Sequence, residues 1–561
     1  MIERVLENWL DSVNERGYEV AFCQALIAQG HTVIRRPAHG PTEHGKDIVS
    51  RDQKGALHAY QLKTGKLTKS SWREIRYQVE ELVEVPIQEP GVSPSSKFTP
   101  HLVTNGSVDE PVKDEVRARN QIWRRKYRPL DVISKDVLFR NFLDLQAGLF
   151  PTKPVELEKF LRLYLAEKRG FLPKREFSEF LESFLPSPGE ATSVGLKRIL
   201  ASAVIFANYV LSGYQSLDNH LAVAEGWMIV IAYLLRTAQE NKAKESVWRA
   251  SIQLCVEAWD RATGRLVDEA MGSQTWLGPD APVDTFVLSH RKTILSGYLA
   301  CYALYKRMTT GALPNEDEIF SRVAAEFRPI GFWGEGANPF VLAVALFLWK
   351  HGSEEEAVQT IAGLINFITQ SNGTPRGLGL PDPYCDSASI LEEVLHQRRA
   401  GEVVQYIQQM DRLHSKELPQ IHYQALAALA QNVAGDSKWS FRQTFTGRSF
   451  GIRSLVEFLA RRERKRLLRS LWYQITSVDY AEFVPDRRMD YYLWRVKKGS
   501  LVTRRFKRPQ PWAELVSAAN AKTKNRELPF AAFPELRLPF ALVYPHRLTP
   551  ALVRSWENIL R

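Results

Sequence analysis

Residues 44–65 read HGKDIVSRDQKGALHAYQLKTG, and this stretch sets the architecture of the amino-terminal part of the chain. Two strand-like runs, 46–51 and 56–63, are joined by a short polar turn, which predicts a β-hairpin. Alternate side chains of a strand point to the same face of a sheet, so we expect Gln61 and Lys63 to share a face. The position of Asp47 then depends on the length of the hairpin loop.

Two lengths of the hairpin loop are compatible with the sequence. A three-residue loop that ends on Gly55, in the left-handed conformation, is a recognised hairpin type and places Asp47 opposite Gln61. A loop one residue shorter makes Tyr60 the partner of Asp47 and turns its carboxylate to the other face. We predict the three-residue loop, and with it a single sheet face that carries Asp47, Gln61 and Lys63.

Helical and strand-like patterns alternate on both sides of the hairpin. Amphipathic helices are predicted at the amino terminus and from about Gly17 to Gln29, and a strand over 31–36 precedes the hairpin. Helix, strand, helix, strand and helix follow it. The order α, α, β, β, β, α, β, α, β, α predicts a mixed sheet flanked by helices, in a domain that we place at residues 1–148.

The pattern of apolar residues in the sequence changes near Pro151. Long helical periods with tryptophans dominate from there, and they predict a mostly α-helical region at 149–435, arranged as helical hairpins without a fixed repeat. Residues 436–561 form a basic carboxyl-terminal region. The chain is therefore predicted to be multidomain, with an α/β domain followed by a large helical region.

Positive charge is concentrated in one part of the chain. The net charge is +12 over 561 residues. Residues 1–150 hold 22 Lys+Arg against 20 Asp+Glu, whereas residues 441–510 hold 18 against 6. A local basic patch is what a polyanion-binding protein needs, because neutralised phosphates release their counterions.

Two basic runs are candidates for nucleic-acid binding. The first, RNQIWRRKYR over 119–128, belongs to the α/β domain and is a candidate for guiding a phosphate backbone beside the active site. The second lies in FLARRERKRLLRSLWYQ over 458–474, ahead of a segment in which aromatic and basic residues alternate. The candidate residues are Arg124, Arg125, Lys126, Arg461, Arg462, Arg464, Lys465, Arg466 and Arg469.

Several classes of protein are disfavoured. The longest apolar runs, 227–235 and 339–349, are too short to cross a bilayer, and the acidic amino terminus does not resemble a signal peptide. The chain contains no GxxxxGK[ST] motif, so we expect no nucleotide hydrolysis by the chain itself. Its cysteines lack CxxC spacing, which argues against zinc ribbons and disulfide frameworks. We therefore expect a cytoplasmic protein.

Three motifs share an order along the amino-terminal domain. The helical segment YEVAFCQALIAQGHTVIRR carries an acidic residue, GKDIV starts a strand with an aspartate, and YQLKTG has a hydrophobic-Gln-x-Lys pattern. This order resembles the PD-(D/E)xK nuclease superfamily, in particular its Mrr-like restriction endonuclease branch, over residues 15–145. The resemblance implies a restriction-endonuclease-like fold for the α/β domain.

The resemblance also implies roles for individual residues. Glu19 and Asp47 would bind Mg²⁺, or Mn²⁺ in its place. Gln61 replaces the more common Glu of the family motif and would help to position the ion, together with the backbone carbonyl of Leu62. Lys63 would serve the catalytic step by orienting water or offsetting developing charge.

Structural explanations compete with these roles. Glu19 could be a solvated helix residue, and Glu15 is the second candidate for the acidic position. Asp47 and Lys63 could form a cross-strand salt bridge. Lys46 departs from the family pattern, in which a small or acidic residue usually precedes the aspartate. Histidines near the hairpin fit no metal-ligand spacing and are predicted to lie in loops or on the surface: His39, His44 and His58.

The implied function is Mg²⁺-dependent cleavage of DNA, in bacterial restriction or antiphage defence. DNA is then the main partner, no membrane is involved, and a homo-oligomer is left open. One alternative is a nuclease subunit that depends on a separate protein for ATPase or sensing activity. Another is a non-catalytic nucleic-acid-binding scaffold with a decayed nuclease fold.

Overall fold

The computed structural model describes residues 2–35, 44–146, 154–166, 168, 172–186, 192–273, 276, 285–327, 338–353, 356, 357, 360 and 532–543. The chain divides into two compact units, residues 1–262 and 263–561. The first unit contains the sheet and every described residue of the predicted site, so it is the unit that matters for function.

The elements of the first 146 residues follow the predicted order, helix for helix and strand for strand. They are α1 (Ile2–Ser12), α2 (Glu15–Ala28), β1 (Thr32–Arg35), β2 (Ile48–Arg51), β3 (Leu57–Lys63), α3 (Lys69–Glu84), β4 (Phe98–Thr104), α4 (Glu110–Trp123), β5 (Asp131–Ile133) and α5 (Lys135–Gln146). The mixed α/β arrangement predicted for this part of the chain is confirmed.

Helices follow in the rest of the described chain, as predicted for residues 149–435. They are α6 (Pro154–Leu165), α7 (Lys174–Phe184), α8 (Ser193–Gln215), α9 (His220–Glu240), α10 (Glu245–Gly272), α11 (Thr285–Thr309), α12 (Glu316–Glu326), α13 (Asn338–Lys350) and α14 (Arg537–Val543), with a 3-10 turn at Pro534–Leu536. In the second unit, α11 packs against α12, α13 and α14. The predicted domain limits at 148 and 435 stay predictions.

The five strands form one sheet in the order β1-β2-β3-β4-β5. The pairs β1–β2 and β2–β3 are antiparallel, whereas β3–β4 and β4–β5 are parallel. Each parallel connection contains a helix, as is usual for such crossovers. Because β3 and β4 are parallel, their carboxyl ends meet at one edge of the sheet.

The hairpin has the three-residue loop that the sequence predicts. Asp52 N–H donates to Ala56 O at 2.9 Å, and Gly55 has a φ of +83°. The Asp52 carboxylate also accepts from two backbone N–H groups of the turn, at 2.9 and 2.8 Å. The ladder then runs up to Ile48 opposite Tyr60, so the predicted register is confirmed.

The two faces of the sheet are covered by different helices. The front face, which carries Val49, Ala59 and Leu102, packs against α3 and α4 through a buried core that includes Trp72. The rear face packs against α2, where the rings of Phe22 and Tyr60 lie 5.3 Å apart. The sheet is thus a buried layer between helices, as is typical of strands joined by parallel crossovers.

The first unit extends past the sheet because α1 and α2 pack on later helices. Trp9 Nε1 donates to Ser212 Oγ at 2.8 Å, and Asn208 Nδ2 donates to the carbonyl oxygen of Gly17 at 2.6 Å. A Cβ on Gly17 would lie 3.4 Å from Ser212, so α2 and α8 are in close contact. The amino terminus of α2 is therefore held against α8.

Among the described residues, α8 and α9 are long and apolar enough to cross a membrane. Their most apolar windows are 72% and 89% buried inside the protein, respectively. Burial of this extent fits core helices of a soluble protein, since a membrane span exposes much of its surface to lipid. The cytoplasmic location stays a prediction.

Candidate active site

The carboxyl ends of β3 and β4 are joined by hydrogen bonds between the two turns that follow them. Thr104 Oγ1 donates to the Gly65 carbonyl at 2.6 Å, and Gly65 N–H donates to Asn105 Oδ1 at 2.7 Å. Gly106 allows this approach, because a Cβ there would lie 2.2 Å from the Gly65 backbone. These bonds fix the end of β3 that carries Lys63.

Asn105 also positions the start of α2 beside this edge. Its buried Nδ2 donates to the carbonyl oxygens of Leu10 and Val13, each at 2.7 Å, at the end of α1. Asn14 follows as the N-cap of α2, and its side chain accepts from Gly17 N–H at 2.8 Å. The first turn of α2 is therefore held against the end of β3.

Glu15 and Tyr18 reach the site from that first turn. The Glu15 carboxylate lies 4.0 Å from Lys63 Nζ, and the Tyr18 hydroxyl donates to the Lys63 carbonyl at 2.9 Å. Burial raises the pKa of Tyr18 well above 10, and the charges of Glu15, Asp47 and Glu19 raise it further. Three carboxylates therefore lie near this phenol.

Asp47 precedes β2 and contacts the backbone on both sides of Gln61. Its N–H donates to the Tyr60 carbonyl at 2.8 Å, and its Oδ2 accepts from the Leu62 N–H at 2.6 Å. These contacts lie just beyond the last pair of the ladder, Ile48 and Tyr60. The structure therefore brings Asp47 beside the stretch 60–62, and Lys63 ends the same strand.

Gln61 is buried beneath α3, with 2% of its surface exposed. Its Nε2 donates to Gln78 Oε1 at 3.1 Å. Its Oε1 is buried and has no hydrogen-bond partner within the described part of the chain. A buried amide oxygen without a donor is costly, and such atoms often mark a place that a water, ion or ligand completes.

Lys46 departs from the family pattern, and its contacts hold the segment that leads into Asp47. The residue is buried, and its ammonium donates to the carbonyl oxygens of His44 at 3.1 Å and Glu81 at 2.9 Å. The second carbonyl lies in the last turn of α3, where a cation also suits the helix dipole. Lys46 thus fixes the residue before Asp47 to α3.

Glu19 lies one helical turn beyond Glu15 and is not a solvated helix residue. It is 3% exposed, and its Oε1 lies 2.8 Å from Arg261 Nη2 on α10. Arg261 neutralises this carboxylate, whereas Glu15 lies beside Lys63. Of the two candidates, Glu15 is therefore the one whose carboxylate faces the lysine.

A hard cation suits the oxygen atoms at this edge. Asp47 supplies a carboxylate, and Gln61 supplies the buried oxygen without a donor; both are oxygen ligands of the kind that Mg²⁺ takes. Within the described ranges, no group of three or more His, Cys, Asp or Glu residues gathers as a ready metal site.

The first basic run lies at the other end of the sheet, so its predicted place beside the site is wrong. Arg128 Nη1 donates to Thr99 Oγ1 at 3.1 Å, at the amino end of β4. Thr99 is five positions before the residue that pairs with Lys63, which corresponds to about 16 Å along the strand. The reason is topological: α4 leads from the carboxyl end of β4 back to the amino end of β5.

The residues of that run are exposed, as a phosphate-binding role requires: Arg124, Arg125 and Lys126. Their role in nucleic-acid binding stays a prediction. The residues of the second run lie outside the described part of the chain: Arg461, Arg462, Arg464, Lys465, Arg466 and Arg469.

His58 is not a loop residue, because it lies on the rear face in β3. Its Nδ1 lies 3.0 Å from His101 Nε2, and His101 Nδ1 lies 3.1 Å from Asp131 Oδ2. At the other end, His58 Nε2 lies 3.5 Å from Asp52 Oδ2. The sequence missed this chain of side chains because His101 and Asp131 come from two later strands.

Burial lowers the pKa of both His31 and His58 below 6.5, and the neighbouring imidazoles lower it further. Next to them lies a cavity of about 200 Å³ lined mainly by α2 and the rear face. His44 is partly buried and lies 4.0 Å from Glu81, whereas His39 lies outside the described residues.

The described cysteines are buried, and they form no disulfide bond with one another: Cys23, Cys255 and Cys301. Burial raises the pKa of the Cys301 thiol well above its usual value.

Comparison of the chain with protein-family models, with curated proteins and with solved structures finds no match. Any assignment of function therefore rests on the residues themselves.

Proposed function

We propose that the chain is a Mg²⁺-dependent endonuclease that hydrolyses phosphodiester bonds in DNA. The observation that carries the proposal is the meeting of three groups at the carboxyl end of β3. The Asp47 carboxylate accepts from the N–H of Leu62, the residue after Gln61 with its buried amide oxygen, and Lys63 lies two positions beyond Gln61 on the same strand. Phosphodiester hydrolysis needs these types of group close together.

Each residue has a role that follows from its position. Asp47, Gln61 and the carbonyl of Leu62 would hold the cation, for which Mn²⁺ would substitute. Such an ion, when bound, supplies Lewis-acid activation of the phosphate and a more acidic water. Lys63 orients the attacking water or offsets the charge that develops on the phosphate.

Residues of α2 hold the lysine in place. Glu15 faces Lys63 Nζ at 4.0 Å, and the Tyr18 hydroxyl fixes the carbonyl of the same residue. Glu19, which the family resemblance makes a metal ligand, is paired with Arg261, so we assign the acidic role to Glu15 in its place. The role in restriction or antiphage defence rests on the resemblance alone.

The test is cleavage of plasmid and oligonucleotide DNA, with RNA as a further substrate, in Mg²⁺ or Mn²⁺. Asp47→Asn keeps an oxygen for the Leu62 N–H but removes the charge, and we expect it to abolish cleavage. Lys63→Met should lower the rate about 100- to 1000-fold, the usual effect of removing one group that stabilises transition-state charge.

Matched controls exist a few residues away. Asp52→Asn changes an aspartate at the other end of β2, and Lys66→Met changes an exposed lysine that pairs with Asp109 at 2.8 Å. Both controls should cleave at the wild-type rate. If the wild-type protein cuts neither DNA nor RNA with either ion, but still binds DNA, the nuclease proposal fails in favour of a non-catalytic scaffold.

A further inference from the structure

The Gln61 amide must be oriented to present its oxygen to a cation, whereas a glutamate at the same place would need no orientation. A carboxylate presents an oxygen whichever way it turns, whereas an amide presents an oxygen in one orientation and an N–H₂ group in the other. An N–H₂ group pointing at a cation would repel it. A glutamine in this position therefore needs a second group that fixes the orientation of its amide.

Gln78 on α3 is in the place to do this. Its Oε1 accepts from Gln61 Nε2 at 3.1 Å, which leaves the Gln61 Oε1 as the buried oxygen without a donor among the described residues. In this orientation of the Gln78 amide its oxygen matches the Gln61 N–H₂ group, and the opposite orientation of Gln61 requires the Gln78 amide to turn as well. The direction of the hydrogen bond thus decides which atom of Gln61 is available to a ligand.

The backbone around Gln78 is fixed to the segment that leads into Asp47. A Cβ on Gly45 would lie 2.3 Å from the Gln78 carbonyl oxygen, and Gly45 has a φ of +68°. Three residues farther along α3, the Glu81 carbonyl accepts from the Lys46 ammonium at 2.9 Å. One turn of α3 therefore contacts both Gln61 and the two residues before Asp47.

We propose that Gln78 is a positioning residue, which orients the Gln61 amide so that its oxygen completes the divalent-cation site with Asp47. The inference rests on the proposed function, because it assumes that the site binds a divalent cation. Gln78 lies outside the family motif. Its role has a physical reason, because a neutral amide ligand must be oriented to present its oxygen.

The position of Gln78 makes the inference testable. Unlike Gln61, Gln78 is exposed to solvent, so substitutions there should leave the fold intact. The measurement is Mn²⁺ affinity of the full chain by isothermal titration calorimetry, which does not depend on cleavage. The proteins are the wild type, Gln78→Leu, Gln61→Glu and the double variant, which together form a double-mutant cycle.

Gln78→Leu should weaken Mn²⁺ binding about 3- to 10-fold in the wild-type background, the equivalent of one hydrogen bond. In the Gln61→Glu background the same change should alter the affinity less than about twofold, because a carboxylate needs no orientation. Gln78→Glu keeps an acceptor and should retain the orientation, although its charge adds attraction for the ion. Gln121→Leu, at an exposed glutamine of α4, should have no effect.

Other outcomes separate the inference from the function on which it rests. Mn²⁺ binding that is lost in Asp47→Asn but unchanged in Gln78→Leu overturns the inference and leaves the cation site standing. Equal losses in both Gln61 backgrounds also overturn it, since they indicate a general structural effect. Absence of Mn²⁺ binding by the wild type overturns both, whereas binding without DNA cleavage overturns the nuclease proposal alone.

Discussion

The two ends of strands β3 and β4 both gather titratable and polar side chains, but they differ in what these side chains face. At the amino end, His58 Nδ1 lies 3.0 Å from His101 Nε2, and its buried Nε2, which makes no hydrogen bond among the described residues, lies 3.5 Å from the Asp52 carboxylate. At the carboxyl end, the buried oxygen of Gln61 has no hydrogen-bond partner among the described residues. Each end thus has a buried atom without a hydrogen bond, so such an atom alone does not mark the functional end.

The kind of atom is therefore the better guide to function, because an amide oxygen can bind a cation, whereas the imidazole nitrogen already faces a carboxylate. Native proteins satisfy most buried polar atoms, because a buried donor or acceptor without a partner costs free energy of folding. The side chains of the amino end face one another, and their contacts stabilise the sheet. At the carboxyl end, the Gln61 oxygen remains without a hydrogen bond among the described residues, so substitutions at the two ends should have different consequences.

The largest effect on stability should come from Lys46→Met. This change removes the ammonium that joins the segment before Asp47 to the end of α3. The His44 carbonyl loses a donor, and the Glu81 carbonyl keeps only the Val85 N–H. We expect a loss of about 1–3 kcal/mol in the free energy of unfolding, measured by urea denaturation. Lys54→Met, in the exposed hairpin loop, is the control and should be neutral. Equal stabilities of the two variants would show that α3 does not hold the site.

A smaller effect should appear as a pH dependence at the amino end. The pKa values of His31 and His58 lie below 6.5 in the folded protein, so the unfolded chain binds more protons there. This contribution to stability is complete above pH 6.5 and is lost as the pH falls from 6.5 towards the lowered values.

The measurement is the free energy of unfolding at pH 7.5, 6.5 and 5.5. His58→Gln should flatten the decrease while leaving cleavage at pH 7.5 unchanged, since His58 lies on the rear face. The charged and titratable groups near His58 are His31, His101, Asp52 and Arg128, and they are intact in this variant. A slope as steep as that of the wild type would contradict the role of His58.

The smallest effect on catalysis should come from the triple substitution Arg124→Gln, Arg125→Gln, Lys126→Gln. These residues lie at the amino end, so the cleavage rate at saturating DNA should change less than about twofold. DNA binding should weaken, and the slope of log affinity against log salt should become shallower by about 0.9 for each phosphate that is no longer neutralised. A large fall in the saturated rate with unchanged binding would place this run at the site after all.

Much of this site follows from local sequence. The register that brings Asp47 to Gln61 was predictable because a turn of three residues with Gly55 last has few solutions. The place of Arg124 was predicted wrongly, because nearness in a domain says nothing about which end of a sheet a helix returns to. Glu15 was only the second candidate, since both it and Glu19 lie on the same helix one turn apart.

The order of helices and strands and the pairing of the hairpin are determined by the local sequence, because periodicity and turn chemistry act over a few residues. What these elements meet depends on the packing of the folded chain. Gln78 reaches Gln61 across 17 residues, and Arg261 reaches Glu19 from a helix in the later part of the same unit. Such contacts join distant elements, and they leave no periodic signal in the chain.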